Sequence, residues 1–348
     1  MIPMNDVSSY IQFLTKKQIF SDLIEQNPRK VFDLDTIEFL KNLSKSIMSN
    51  KNLRFYPDLA SFAFFCRGAN IKKLFDAYKS SMSRCFGRGI TLHFAPSNVP
   101  LNFAYSMFAG LITGNVCLVR LSSTEFPQAT LLVKIINDLL RHKSNDFLRN
   151  RLCLFRYEKN RLVTDYLSSL ADVRVIWGGD ASIGEIRKSE LPSYGFDITF
   201  ADRNSICIIG AEEYLKITDK KREALFFFND TLFFDQNACT SPRVVYWIGK
   251  EEHIGEARRT FWEELNNIVE AKNYYPPANV TVDKLKAQYG AAIEFGSQSN
   301  KIDSIIKTSL LKRAPTNYAH LLVPGGFFLE ATSKSLDFLD IKFTRKQQ

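Results

Sequence analysis

Histidine is scarce in this chain, 4 residues in 348, and none of the 6 cysteines forms a Cys-x-x-Cys pair. Cys66, Cys85, Cys117, Cys153, Cys207 and Cys239 lie far apart, with no histidine at ligand spacing. That distribution argues against structural zinc and is read as reduced thiols in a cytoplasmic protein. Met1 to Phe20 mixes polar and charged residues and has no uninterrupted apolar core, so no secretory signal is expected. Between Arg88 and Arg120 there is no Asp, Glu, Lys or Arg, as in a spanning helix of about 20 apolar residues. But Pro96, Asn98, Pro100, Asn102, Gly110, Gly114 and Asn115 break that stretch into strand, helix and strand, and no membrane span is expected. Internal repeats and low-complexity segments are absent.

What is present is a chain with 45% hydrophobic residues, long enough to fill two domains. Its net charge of +9 favours anionic partners. The densest basic runs, Lys220-Lys221-Arg222 and Arg345-Lys346, are short and lack interleaved aromatics, so they read as solvated helix faces and not as a nucleic-acid platform.

Residues 1–85 read as an N-terminal helical layer, with apolar residues at helical spacing in Ile37 to Ile47 and Leu59 to Tyr78. From Ile90 short apolar runs alternate with helical stretches, the pattern of a mostly parallel sheet covered by helices. Strands are expected at Thr91 to Ala95, Val116 to Leu121, Leu152 to Arg156, Val173 to Trp177 and Asn204 to Ile209, with helices between them. The order predicts an α/β fold with a doubly wound dinucleotide-binding domain over 86–210. A second α/β domain over 211–348 would hold a helix through Phe228, a loop at Asp235 to Pro242, a strand at Arg243 to Ile248 and a helix from Glu251. Strands resume less clearly after Asn279.

Three segments carry chemistry. In the first, the strand ending at Trp177 runs into Gly178, Gly179 and a helix; Ser182 and Glu185 have capping-box spacing. Backbone N–H groups at such a turn favour an anion or dinucleotide, although strand-Gly-Gly-helix is also an ordinary connection. In the second, Asp235-Gln-Asn-Ala-Cys239-Thr-Ser-Pro, the cysteine sits in a small polar loop, whereas Cys117, Cys153 and Cys207 lie inside apolar runs. A loop thiolate can act as a nucleophile, and an incidental surface thiol is the alternative. The third is His93-Phe-Ala-Pro-Ser-Asn98-Val-Pro100, whose amide can donate to an oxyanion or, with Ser97, simply cap the next helix.

In this order and separation the segments resemble the aldehyde dehydrogenase superfamily and, within it, the acyl-CoA reductase branch of LuxC-type fatty acid reductases. The resemblance rests on His93 to Pro100, Leu118-Val-Arg-Leu-Ser-Ser-Thr124, Trp177-Gly-Gly, Asn204 to Ile209 and Phe234-Asp-Gln-Asn-Ala-Cys-Thr-Ser241. It runs from about residue 60 to the C-terminus. It implies an aldehyde dehydrogenase-like fold with Cys239 as nucleophile, and an oxyanion hole from Asn98 and the Cys239 backbone N–H. Gly178, Gly179 and Ser182 would border the dinucleotide. Arg120 stands where the superfamily usually has a ribose-touching lysine. Ser122 and Ser123 follow it, and Ser123 takes the place of an acid found in many NAD-preferring relatives. NADPH is therefore the expected cofactor.

One departure is informative. Hydrolytic members carry Glu-Leu-Gly-Gly, whose glutamate activates water; alignment through Ser205 puts Phe200-Ala-Asp-Arg203 there, with Asp202 the nearest carboxylate but two positions out of place. Without that base, reduction of an acyl thioester to an aldehyde is favoured over oxidation to an acid. Phe226, Phe227, Phe228, Phe233 and Phe234 can line an acyl channel or fill a core. The implied partners are a fatty acyl-CoA or acylated-protein donor, an acyl-protein synthetase subunit and further copies of the chain. A non-catalytic scaffold or acyl-acceptor subunit is the alternative, and a nucleic-acid-binding protein ranks last. Relatives continue past a segment like Leu336 to Gln348 with more of the catalytic domain, so the chain is expected to be incomplete there.

Overall fold

The computed structural model describes residues 7–15, 20–82, 84–201, 203–299, 304–312 and 318–337. The chain divides into two compact units, Met1–Ala201 and Asp202–Gln348.

In the first unit, β2 (Ile90–Phe94), β3 (Val116–Arg120), β4 (Leu152–Arg156) and β5 (Val173–Trp177) are apolar runs buried almost end to end. That is the mark of parallel strands covered on both faces. With β1 (Gln12–Phe13) and β6 (Phe196–Phe200) they form a sheet of order β1-β4-β3-β2-β5-β6, in which β1 runs antiparallel to β4. The chain lays β2, β3 and β4 outward in one direction, then returns to place β5 and β6 on the other side of β2. This reversal is a topological switch point between β2 and β5. The charge-free stretch between Arg88 and Arg120 is strand, helix and strand. Among the described residues, no helix is long and apolar enough to cross a membrane.

The helix Asn102–Ile112 packs closely on β2 and β3 because Gly110 has no side chain. A Cβ there would lie 2.6 Å from Cys117 Sγ and 2.9 Å from His93 Nε2. The helix Leu34–Met48 is started by Asp33, whose carboxylate accepts from the Thr36 backbone N–H at 3.1 Å. It buries Phe39, Leu40, Leu43 and Ile47 in one core with Leu132, Ile136 and Leu154. The N-terminal residues are thus not a layer apart, and they also supply β1.

In the second unit, β7 (Ser205–Gly210), β8 (Pro242–Ile248), β9 (Gln298–Ser299), β10 (Lys307–Leu310) and β11 (Phe327–Ser333) form a sheet of order β7-β8-β11-β10-β9. The expected boundary at 210 is corrected here. Ser205–Gly210 pairs with β8, so the division falls before it, near 201. Its apolar run looks like those of the first sheet, and nothing local tells which sheet will take it.

The helix expected through Phe228 is two, Ala211–Lys216 and Lys220–Thr231. They are separated where Asp219 caps the second by accepting from the Arg222 N–H at 3.0 Å. The residues after Asn279 are helical, Ala278–Phe295. The helix Glu251–Ala271 covers one face of the sheet with Ala257, Phe261, Trp262, Leu265 and Ile268. Beneath it the fully buried Glu330 carboxylate accepts from Trp247 Nε1 at 2.8 Å, Trp262 Nε1 at 2.8 Å, and Arg258 Nε and Nη2 at 2.9 and 2.8 Å. Such a buried charge is tolerated because every partner is present. Of Leu336 to Gln348, on which the expectation of an incomplete C-terminus rested, residues 338–348 lie outside the described residues.

Candidate active-site segments

Phe94 of β2 pairs with Arg120 of β3 on one side and Ile176 of β5 on the other. The segments leaving these strands therefore emerge side by side at the carboxyl end of the sheet: Leu121 to Ser123, Ala95 to Pro100, and Gly178 with Gly179. Ligands of open α/β sheets bind outside that edge, at the switch point.

Asn98 lies exposed in a bend. The following helix begins only at Asn102, with Leu101 as its N-cap and no side-chain cap, so neither Ser97 nor Asn98 caps it. After β5, the Gly178 N–H donates to Phe200 O at 3.1 Å. Gly179 is the N-cap of the helix Asp180–Arg187, again without a side-chain cap. The capping box expected of Ser182 and Glu185 is not formed, since both residues lie inside the helix. Ser182 instead faces Gly178, its Cβ 3.4 Å from where a Gly178 Cβ would stand.

Trp177 is held by a directional chain of hydrogen bonds through the core. Thr91 Oγ1 donates to Val116 O at 3.0 Å, so it accepts from His93 Nε2 at 2.9 Å. His93 Nδ1 must then accept from Ser106 Oγ at 2.7 Å, which in turn accepts from Trp177 Nε1 at 3.2 Å. Burial lowers the His93 pKa to about 4, so this histidine is a neutral structural link and no base. Phe200, which the expected alignment puts opposite the water-activating glutamate, stacks on Trp177. Asp202 lies outside the described residues.

At the end of β3 the Arg120 guanidinium lies 4.7 Å from the Tyr157 ring centroid and donates from Nη2 to Tyr157 O at 3.1 Å. Ser122 Oγ donates to Thr124 O at 3.3 Å. A small, mostly apolar cleft beside them is floored by Phe103, Leu121 and Phe126 and carries Ser122, Thr124 and Arg156 as its polar residues. Arg156 went unremarked in the sequence because a basic residue closing an apolar strand looks like an ordinary strand end. A dinucleotide fits here on two counts. The Nε atoms of Arg120 and Arg156 are buried without acceptors among the described residues, and Gly178 leaves the helix start open.

The cysteine segment belongs to the second unit. Asp235 and Gln236 adopt left-handed backbone, φ 51° and 60°, which non-glycine residues hold only when fixed by their surroundings. The fixing group is the buried Gln236 amide. Its Nε2 donates to Pro242 O at 3.0 Å and Phe327 O at 3.1 Å, and its Oε1 accepts from the Gly326 and Phe327 N–H groups at 3.0 and 3.3 Å. Arg243, its pKa lowered by burial to about 10, donates to Gln236 O. Ser205 Oγ donates to the Cys239 carbonyl at 2.8 Å. The result is a rigid turn at the amino ends of β7, β8 and β11 with Cys239 exposed.

The cysteines inside apolar runs differ. Burial raises the thiols of Cys117 and Cys153 to about 12 and that of Cys207 to about 11. Of the phenylalanines ahead of the turn, Phe227 and Phe228 are core, Phe226 is exposed, and Phe233 and Phe234 meet edge to face at 4.8 Å. The bracing roles of Gln236, Ser205 and Arg243 were missed in the sequence; a glutamine beside a loop cysteine was the available signal.

The family model described as acyl-CoA reductase (LuxC) matches residues 69–301. Long-chain acyl-protein thioester reductase 2 of Photobacterium leiognathi is 29% identical over 179 residues, 51% of this chain and 34% of that protein. The long-chain acyl-protein thioester reductase of Photorhabdus luminescens is 28% identical over 187 residues, 53% of this chain and 37% of that protein. The matched part thus spans little more than a third of either relative. Among solved structures, lactaldehyde dehydrogenase superposes with a TM-score of 0.60 at 12% identity, covering 87% of this chain and 70% of that one. A 3,6-anhydro-L-galactose dehydrogenase in complex with NAP gives 0.58 at 12% identity, covering 97% and 75%. The fold is that of the aldehyde dehydrogenases, and the chain belongs to the acyl-CoA reductase (LuxC) family.

Proposed function

We propose that this protein reduces a long-chain acyl thioester to a fatty aldehyde through an acyl-cysteine at Cys239. The observation that carries the reading is the Cys239 turn, an exposed thiol on backbone locked by a buried amide, within a family whose named relatives are acyl-protein thioester reductases.

In this reading the Cys239 thiolate attacks the thioester carbonyl carbon, the C–S bond to the donor breaks, and the donor thiol leaves with a proton. Asn98 and the Cys239 backbone N–H donate to the oxyanion. Exchange of one thioester for another is nearly balanced in energy. When bound, a reduced nicotinamide dinucleotide, NADPH by preference, would supply a hydride to the acyl carbon. The C–S bond to Cys239 then breaks, releasing the aldehyde and returning the thiolate. Gly178, Gly179 and Ser182 would border the dinucleotide, and Arg120, Ser122 and Ser123 would hold its adenosine end. With Phe200 and not a glutamate at the aligned position, no matching base is available to activate water against an acyl-cysteine. The donor is a fatty acyl-CoA or an acylated protein; an acyl-protein synthetase subunit and further copies of the chain are the proposed partners.

The deciding experiment is intact mass after incubation with a long-chain acyl-CoA. Wild type gains one acyl mass and Cys239→Ala gains none; labelling that persists in the variant removes Cys239 from its role.

A further inference from the structure

Two guanidiniums stand at neighbouring strand ends of the first sheet. Arg120 closes β3 and Arg156 closes β4, one residue apart in register because Arg120 pairs with Phe155. Both leave a buried Nε without an acceptor among the described residues, and they differ elsewhere. The Arg120 Nη2 is occupied by the Tyr157 carbonyl, its guanidinium is stacked on the Tyr157 ring, and it does not line the cleft. Arg156 lines the cleft with Ser122 and Thr124. Its side chain is 12% exposed, and its Nε is buried without an acceptor among the described residues. Its Nη1 donates at 2.8 Å to Glu125, a carboxylate 76% exposed.

The exposed partner of such a pair can rotate into water at little cost, because a surface ion pair contributes little. Turning Glu125 away would leave a fixed guanidinium edge, with a buried stem and hydroxyls beside it. A phosphomonoester takes that edge through paired, charge-assisted N–H···O bonds. The edge also lies at the carboxyl end of the strands on the adenosine side of the switch point, where a doubly wound sheet takes the ribose of a dinucleotide.

We infer that Arg156 is the specificity-determining residue for the 2′-phosphate of NADPH, that Glu125 is the internal anion this phosphate displaces, and that Arg120 acts as a buttress on Tyr157. This rests on the NADPH reading above. It moves the discriminating charge from the residue a strand-end motif points to onto one that only the cleft makes visible.

The test is binding, with no turnover required. NADPH and NADH are titrated by nicotinamide fluorescence, and 2′,5′-ADP and 5′-AMP by calorimetry, against the full chain and its Arg156→Gln, Arg120→Gln and Glu125→Gln variants. Arg156→Gln weakens NADPH and 2′,5′-ADP by roughly 10–100-fold and changes NADH and 5′-AMP by less than about twofold, the scale of a lost charge-assisted pair. Glu125→Gln tightens 2′,5′-ADP several-fold, and Arg120→Gln shifts both members of each pair alike.

A wild type that binds NADPH and NADH equally overturns the NADPH reading and this inference together. A wild-type preference that survives in Arg156→Gln and collapses in Arg120→Gln overturns this inference alone. Should Arg156→Gln not fold, the exposed Glu125 still decides, because an unchanged 2′,5′-ADP affinity in Glu125→Gln also overturns it.

Discussion

Trp177 and Phe200 lie face to face, their ring centroids 3.8 Å apart and their planes 9° from parallel, at the carboxyl ends of two adjacent strands. The indole is fixed from the core side, whereas the Phe200 side chain is exposed. Trp177 is tied by Ser106 and His93 to the centre of the sheet, and the Phe200 backbone carbonyl accepts from Gly178. An aromatic surface thus lies at the carboxyl edge of these strands, where the expected alignment would put a water-activating glutamate.

Phe200→Glu should convert part of the acyl-enzyme flux to hydrolysis. A positioned general base contributes roughly 10²–10⁴-fold, so even an imperfectly placed carboxylate is expected to raise free fatty acid release at least about tenfold. The measurement is free acid against aldehyde from the same acyl-CoA. Normal acylation with no extra free acid would show that this position does not govern water attack.

Asn98→Ala should slow acylation of Cys239 by roughly a hundredfold, the scale of one lost oxyanion donor. The thermal midpoint should barely move, because Asn98 is exposed and caps no helix. An unchanged acylation rate in single-turnover assays would take the oxyanion role from it.

Gln236→Leu removes a donor from two carbonyls and an acceptor from two N–H groups, all within the second unit. Leaving buried polar groups unmet costs about 1–3 kcal/mol each, although local relaxation will recover part of this. A loss of about 3 kcal/mol in denaturant unfolding is expected, with slower alkylation of Cys239 by iodoacetamide under conditions where the protein remains folded. Wild-type alkylation kinetics in the folded variant would mean that the turn does not depend on the amide.

His93 should make the first unit acid-sensitive. Its pKa falls from 6.5 in the unfolded chain to about 4 in the folded one because burial disfavours the charged ring. The unfolded state therefore binds the proton first. The contribution of the neutral ring is complete above pH 6.5 and is lost as the pH drops towards 4, about 3 kcal/mol in all. His93→Gln should lose less stability than wild type between pH 6.5 and 4, whatever its stability at pH 7. Parallel pH curves for the two proteins would contradict this.

The central strands of the first sheet were legible because β2 to β5 are short, mostly apolar runs with helical stretches between them. β6 escaped notice because its alternation is inverted, with Phe196, Ile198 and Phe200 on the exposed side. The helix Ala278–Phe295 escaped for a related reason: its inward face carries Lys284 and Gln288 among Ala287, Ala291 and Phe295, which breaks the apolar period. Lys284 is accommodated there by donating to Ile305 O at 2.7 Å and Gly325 O at 2.8 Å. At the candidate site, the residue types next to Cys239 and Gly178 could be read directly. The partners of Gln236 and Arg156 come from remote strand ends and loops, and no local pattern announces them.

The Gln236 amide meets Phe327, 91 residues further along the chain. At synthesis rates of about 5–20 residues per second, roughly 5–18 s separate the emergence of the two. During that interval the left-handed turn ahead of Cys239 has no carbonyl or N–H from β11 to hold it. A ribosome-bound chain therefore carries the Cys239 thiol before it carries the strand that fixes the turn ahead of it, and whatever reactivity that turn confers is acquired only when the second sheet closes.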